Sequence, residues 1–192
     1  MPLCETITDL DASAARIAAR RYGVIHTAGG RFEHLRLRPF PKWSTVADVH
    51  LFGRRRHERL PGDRCWLYYN QPWGHERFLA LTFVVSSREG TLATFRRALT
   101  VLDEIARIKR SDALLCDACN LRISDRLLRR WGWAAHKPGS RRRHFIKRFY
   151  GVYPQTASEF LLVTRVITVN DACGNAGVKD LAVRTAGKKT TA

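Results

Sequence analysis

A chain of 192 residues, 45% of them hydrophobic, is long enough for one domain with a buried core and too apolar for wholesale disorder. Its 34 Lys and Arg against 17 acids give a formal charge of +17, which favours an anionic partner without choosing among nucleic acid, a phosphorylated cofactor and an acidic surface. No apolar run reaches the roughly 18–20 residues of a membrane span. The first residues lack the basic-then-apolar order of a secretory leader, and the irregularly spaced five cysteines fit reduced thiols in a cytoplasm better than a disulfide framework.

In chain order, DASAARIAARRYG reads as a helix, with Asp11 as its N-cap and Gly23 beyond its end. RFEHLRLRP, residues 31–39, alternates as a strand does. Val46–Phe52 is a second short strand, followed by a charged loop that Pro61–Gly62 closes. Cys65–Tyr69 is a third strand and QPWG a turn. Arg77–Val85 contains few polar residues, the pattern of a strand covered on both faces. After a polar break, Thr91–Arg110 is the clearest helix. Leu92, Phe95, Leu99, Leu102 and Ala106 form its apolar stripe, with Arg96, Arg97, Asp103, Glu104 and Arg107 off it. Ala113–Ala118 is a buried strand and Ile123–Trp131 a short helix stopped at Gly132. Trp133–His136 and His144–Tyr150 flank the loop KPGSRRR as two last strands.

Strand, long helix, strand is a βαβ unit that makes parallel neighbours, and the preceding strands are joined by short connections. The expected class is α/β, a mixed β-sheet flanked by helices. Residues 1–154 are expected to form a single domain, and 155–192 a partly disordered C-terminal extension ending in small polar residues.

From Phe78 to Tyr150 the order of elements resembles the GNAT superfamily of acyl-CoA N-acyltransferases. FLALTFVV runs into a polar loop and a long amphipathic helix. ALLCDACN then ends at Asn120, RISDRLLRRWGW closes in Trp-Gly-Trp where the family commonly has an aliphatic residue, Gly and Phe, and HFIKRFY follows. The resemblance implies a GNAT-like fold, acetyl-CoA or another acyl-CoA as cofactor, and a small-molecule or peptide amine as acceptor. It also implies that the Val84 and Val85 amides flank the pantetheine, that those of Thr91, Leu92 and Ala93 hold the pyrophosphate, and that Arg96 or Arg97 reaches an outlying phosphate. Asn120 would hold the pantetheine arm or its neighbouring loop; read without the resemblance, it is a turn residue bonding its own backbone.

The sequence departs from that family in two places. In SSREGTLATF, Arg88 and Gly90 stand two apart where the family spaces them by three, and the second small residue is Ala93. Helix dipole and free amides at the helix start survive such a change because they belong to the backbone. Counting back from Gly132, the family's frequent proton-donating Tyr falls at Leu128, which has no proton to give. The strand before Ser86 holds no carboxylate; Glu76 and Glu89 lie at its ends. Tyr68, Tyr69 and Tyr150 are the substitutes, each also readable as sheet packing. Catalytic residues therefore stay unknown, and a catalytically degenerate relative is an equal expectation.

Two other patterns stand outside that resemblance. Cys116 and Cys119 with His136 and His144 approach a zinc spacing, but strand residues three apart face opposite sides, so buried thiols and no metal are expected. Lys137, Arg141, Arg142, Arg143, Lys147 and Arg148, interleaved with aromatics, make the densest basic cluster. They support the alternative, a non-catalytic basic protein binding nucleic acid nonspecifically, with no membrane partner.

Overall fold

The computed structural model describes residues 4–41, 61–118, 123–137, 139–140 and 142–154. Within them, alternating apolar residues build strands and the one long 3.6-residue stripe builds a helix. The elements are β1 Glu5–Ile7, α1 Ala14–Ala19, β2 Tyr22–Ala28, β3 Arg31–Arg38, β4 Arg64–Asn70, β5 Phe78–Ser86, α2 Leu92–Ile108, β6 Ala113–Asp117, α3 Asp125–Arg130, β7 Ala134–His136 and β8 His144–Arg148. The described strands form one mixed sheet in the order β1-β3-β2-β4-β5-β6-β8-β7. Every neighbouring pair is antiparallel except β5 and β6, which run parallel, as strands joined by a helical crossover can. The α/β class and the shared sheet of β5 and β6 are thus as the sequence led us to expect. The strand expected at Val46–Phe52 and the extension at 155–192 lie outside the described residues.

One sheet face carries the main core. Ile25, Leu35, Leu37, Leu67, Tyr69, Leu79, Leu114 and Phe145 pack there against Ala98, Val101, Leu102 and Ile105 of α2. The other face holds a smaller cluster, Val24, Tyr68 and Val85, with Trp66 and Phe83 packed against it. β5 is consequently half-buried along most of its length rather than sealed on both sides.

The N-terminal segment corrects the sequence reading most. The helix is one and a half turns, begins after Ser13 instead of Asp11, and ends where Arg20 turns extended at φ −101°, ψ 133°. Tyr22–Ala28, for which the sequence reading named no strand, is β2, a central strand paired on both edges. Gly23 is no helix stop. It faces Tyr69 across the sheet, and a Cβ there would come within 2.6 Å of the Tyr69 ring. The aromatic ring takes the space that the glycine leaves.

The stripe on α2 also shifts. Leu92 is 53% exposed, whereas Asp103, placed on the solvent side by its charge, is buried. Its Oδ2 accepts a 2.7 Å hydrogen bond from Nζ of Lys147 on β8. A carboxylate survives there because its counter-ion comes from a strand 44 residues away. Gly132, at φ +83°, ends the turn after α3 and packs on the same lysine, whose Cε would stand 3.3 Å from an added Cβ.

Candidate functional site

β5 and β6 are in register only from Phe78↔Ala113 to Leu81↔Cys116. β5 runs on to Ser86, still paired with β4 on its other edge. Thr82 is an extra residue there: Tyr68 pairs with Phe83 and Tyr69 with Leu81. Such a bulge bends its strand and increases the local twist. Beyond it no described strand pairs with Val84 or Val85 on the β6 side. The β5–β6 pairing stops at Leu81↔Cys116, one residue before β6 ends at Asp117, while β5 runs on toward the start of α2. Val84 packs against the main core and Val85 is buried on the opposite face.

The turn from β5 into α2 is tightly built. Ser87 is buried. Its amide donates to the Arg64 carbonyl at 2.9 Å, and its hydroxyl accepts from the Arg64 amide at 2.9 Å. The Gly90 amide donates to the Ser87 carbonyl at 3.1 Å, and a Cβ at Gly90 would press on that oxygen at 2.9 Å. Thr91 caps α2, its hydroxyl accepting from the Thr94 amide at 3.2 Å.

An acid that the sequence reading did not single out then enters. Asp63 Oδ1 accepts from the Thr91 amide at 2.8 Å, and its Oδ2 accepts from the Thr91 hydroxyl at 2.8 Å and the Thr94 hydroxyl at 2.5 Å. The Gly30 amide donates to the Thr94 hydroxyl at 2.7 Å. Slight burial raises the Asp63 carboxyl, but the bonds from Thr94 and Thr91 outweigh it and hold the group below its ordinary range. The chain thus places its own anion at the positive end of α2. Of the three amides expected to receive phosphate, Thr91 is already engaged. Leu92 and Ala93 stand on the exposed first turn.

The cations expected to assist divide. Arg96 is half-buried with its guanidinium 5.0 Å from the centre of the Trp131 ring, and burial lowers its pKa against the pull of Asp103. Arg97 is half-buried on the next position of the helix. Asn120 lies outside the described residues, as do Cys119 and Arg141.

Of the proton-donor substitutes, Tyr69 is fully buried. Its hydroxyl has no hydrogen-bond partner among the described residues, and burial pushes its pKa far up. Tyr68 is buried on the opposite face, and Tyr150 is 84% exposed two residues beyond the end of β8. Leu128 is buried in the main core. The Cys116 and Cys65 thiols are pushed up to about 12 by burial and a neighbouring aspartate, the state of inert packing cysteines.

The described members of the basic cluster do not form one surface. Lys147 is buried against Asp103, which overturns its assignment to a polyanion surface. Arg143 is held by Asp125, with Nε–Oδ1 at 2.9 Å, and by the Ile123 carbonyl at 2.7 Å. Arg142 pairs with Asp117 at 3.5 Å. Phe145 and Phe149, needed for base stacking, are core residues. Lys137 and Arg148 stay exposed. Phe145, Lys147 and Phe149 alternate along the chain, and all three are buried.

No protein-family model matches the chain, and no curated protein matches it in sequence. Among solved structures, the crystal structure of a nourseothricin acetyltransferase aligns at 16% identity and a TM-score of 0.35, over 77% of this chain and 99% of the other. At that score the likeness carries no argument.

Proposed function

We propose that the chain is an acyl-CoA-binding protein of the GNAT type whose catalytic equipment is degenerate. One observation carries this reading: beyond Leu81↔Cys116 no described strand pairs with Val84 or Val85 on the β6 side, and β5 leads from there into the start of α2. A slot along this edge would let an amide-bearing arm pair with β5 at Val84 and Val85. The pyrophosphate then falls at the amides of Leu92 and Ala93.

The reaction such a slot supports is attack of an amine on the thioester carbonyl. A C–N bond forms, the C–S bond breaks, the amine loses a proton and the thiolate gains one. Positioning and backbone polarisation are available to this chain. A proton donor is not in evidence among the described side chains: Leu128 fills its place, and the Tyr69 hydroxyl is sealed in the core. General acid–base help contributes about 100- to 10,000-fold, so transfer should be slow or absent even with cofactor bound.

Calorimetric titration with acetyl-CoA tests the reading. Binding is expected, and Leu92→Pro should abolish it while leaving the fold intact, since proline removes one amide at a first helical position where it is tolerated. Absence of binding by the unaltered chain would reject the reading. Fast turnover on polyamines or peptide N-termini would keep the fold assignment and reject degeneracy.

A further inference from the structure

Where β5 and β6 begin, a cavity of about 720 Å³ opens, a volume within the roughly 300–1,000 Å³ of small-molecule sites. Its floor is apolar. Phe78 pairs with Ala113, and Ala113 pairs with Arg148 on its other edge, so the three stand side by side across β5, β6 and β8. Their neighbours Leu79 and Leu114 are in the main core, so by strand alternation this row faces away from α2. Ile146, two residues before Arg148, shares that face, and Phe78, Ala113, Ile146 and Arg148 all line the cavity.

The charge around it is unbalanced. Arg77, Arg110 and Arg148 line the cavity with one acid, Asp112. Arg77 donates to Asp112 Oδ1 at 2.6 Å, while Arg110 and Arg148, both exposed, have no ion-pair partner among the described residues. Two positive charges remain. Burial and then Asp112 raise the Tyr153 phenol, and the charges of Arg77 and Arg110 pull it back, so acid, arginines and phenol share one end of the cavity.

The backbone at the same place is held against its preference. Among the described residues, Arg110, Lys137 and Tyr150 are the non-glycine residues with positive φ. Two of those three, Arg110 at φ +53° and Tyr150 at φ +49°, line this one cavity. A side chain makes such angles costly. The surroundings hold them: the Phe149 amide donates to the Asp112 carbonyl at 2.9 Å, the Val152 amide to the Phe149 carbonyl at 2.8 Å, and the Tyr153 hydroxyl to the Ser111 carbonyl at 2.9 Å. The turn thereby keeps Tyr150 at the cavity, although its ring is 84% exposed and gains little from packing. Strain that packing does not repay marks a site of use.

We propose that this cavity binds a carboxylic acid with an apolar body. The body covers Phe78, Ala113 and Ile146 beneath Tyr150, and the carboxylate lies at the arginine rim, where a guanidinium fork matches its two oxygens. The site is at the opposite end of β5 from Val84 and Val85, and it stands whether or not acyl-CoA binds there.

The test is calorimetric titration of the full chain with octanoate and with 2-naphthoate at low ionic strength. The tighter of the two names the body as aliphatic or aromatic, and either supports the proposal. Acetate, which lacks the body, should bind at least tenfold more weakly, and octylammonium, which reverses the charge, should bind worst. Arg110→Gln with Arg148→Gln should weaken binding at least tenfold. Arg129→Gln with Arg130→Gln, which removes equal charge from α3, should change it less than twofold. Tyr150→Gly should weaken binding at least threefold while the melting temperature holds or rises, because glycine accepts the left-handed angles freely. A purely structural tyrosine would not separate the two readouts in that direction. A thermal melt confirms that each variant folds. Binding of neither acid would overturn the proposal. So would equal losses from both arginine pairs, which mean diffuse attraction, acetate binding as tightly as octanoate, or unchanged affinity in Tyr150→Gly.

Discussion

Three side chains show how far a residue's surroundings, more than its type, set its part. Asp63 neutralises the start of α2 from inside the chain, where the proposed cofactor would bring phosphate. Asp63→Asn keeps an acceptor for the Thr91 amide and removes the competing charge. Acetyl-CoA affinity should rise several-fold in the calorimeter at a stability cost within about 1 kcal/mol; unchanged affinity would place the phosphates elsewhere. His26 stacks on His34 with ring centres 4.2 Å apart, beside Trp66. Burial first, then the charges of His34, Arg36 and Arg64, lower it to about 4. An unfolded histidine takes its proton near 6.5. Between those values the unfolded chain holds more protons, so stability is full above about pH 6.5 and drains as pH falls toward 4. After discounting for solvent screening, the loss is about 1–2 kcal/mol. Urea unfolding at pH 7 and pH 5 should show it, and His26→Gln should shrink the difference. Tyr69 hides a hydroxyl with no partner among the described residues. Tyr69→Phe should leave the melting temperature unchanged or raise it, since the desolvated group costs about 1–3 kcal/mol where it stands. A large destabilisation would reveal a partner for that oxygen.

Between elements, one ion pair ties α2 to β8. Asp103 and Lys147 are both buried, and burial raises the Asp103 carboxyl even though the lysine pulls it down. Removing one partner leaves the other charge stranded. Asp103→Asn should therefore cost about 3–5 kcal/mol in denaturant unfolding, whereas replacing both by Leu and Met should restore most of the loss. If the double replacement is as damaging as the single one, the pair is held for its geometry instead. The Gly23–Tyr69 contact joins β2 to β4 in the same way. A methyl group at Gly23 meets a ring that the surrounding core holds in place, so Gly23→Ala should lower the melting temperature, and Tyr69→Leu in addition should recover part of it.

For the whole molecule, a charge of +17 predicts retention on a polyanion column that collapses as salt rises. The structure distributes that charge. Arg142 and Arg143 are tied to Asp117 and Asp125, and Lys147 is inside. Replacing Arg142 and Arg143 by Ala should accordingly reduce retention no more than replacing any two exposed arginines. A disproportionate loss would restore the loop after β7 as a specific anion surface.

The sequence by itself determined the β5–α2–β6 unit, because its signal is local: an apolar run, a polar break and five turns of one-sided periodicity. It determined the short helix before Gly132 for the same reason. It did not reveal β2, since its pairing partners β3 and β4 are non-local and the helix reading of the alanine-rich lead-in ran on into Tyr22 and Gly23. Nor could it show that Asp103 faces inward, because a buried carboxylate is legible only with the lysine that neutralises it. The carboxylate of Asp63 meets α2 across 28 residues of chain, and Lys109 meets Gln71 across 38. Charge pairing joins residues distant in sequence, so the candidate sites depend on how the sheet brings those segments together, while local periodicity had already written the elements.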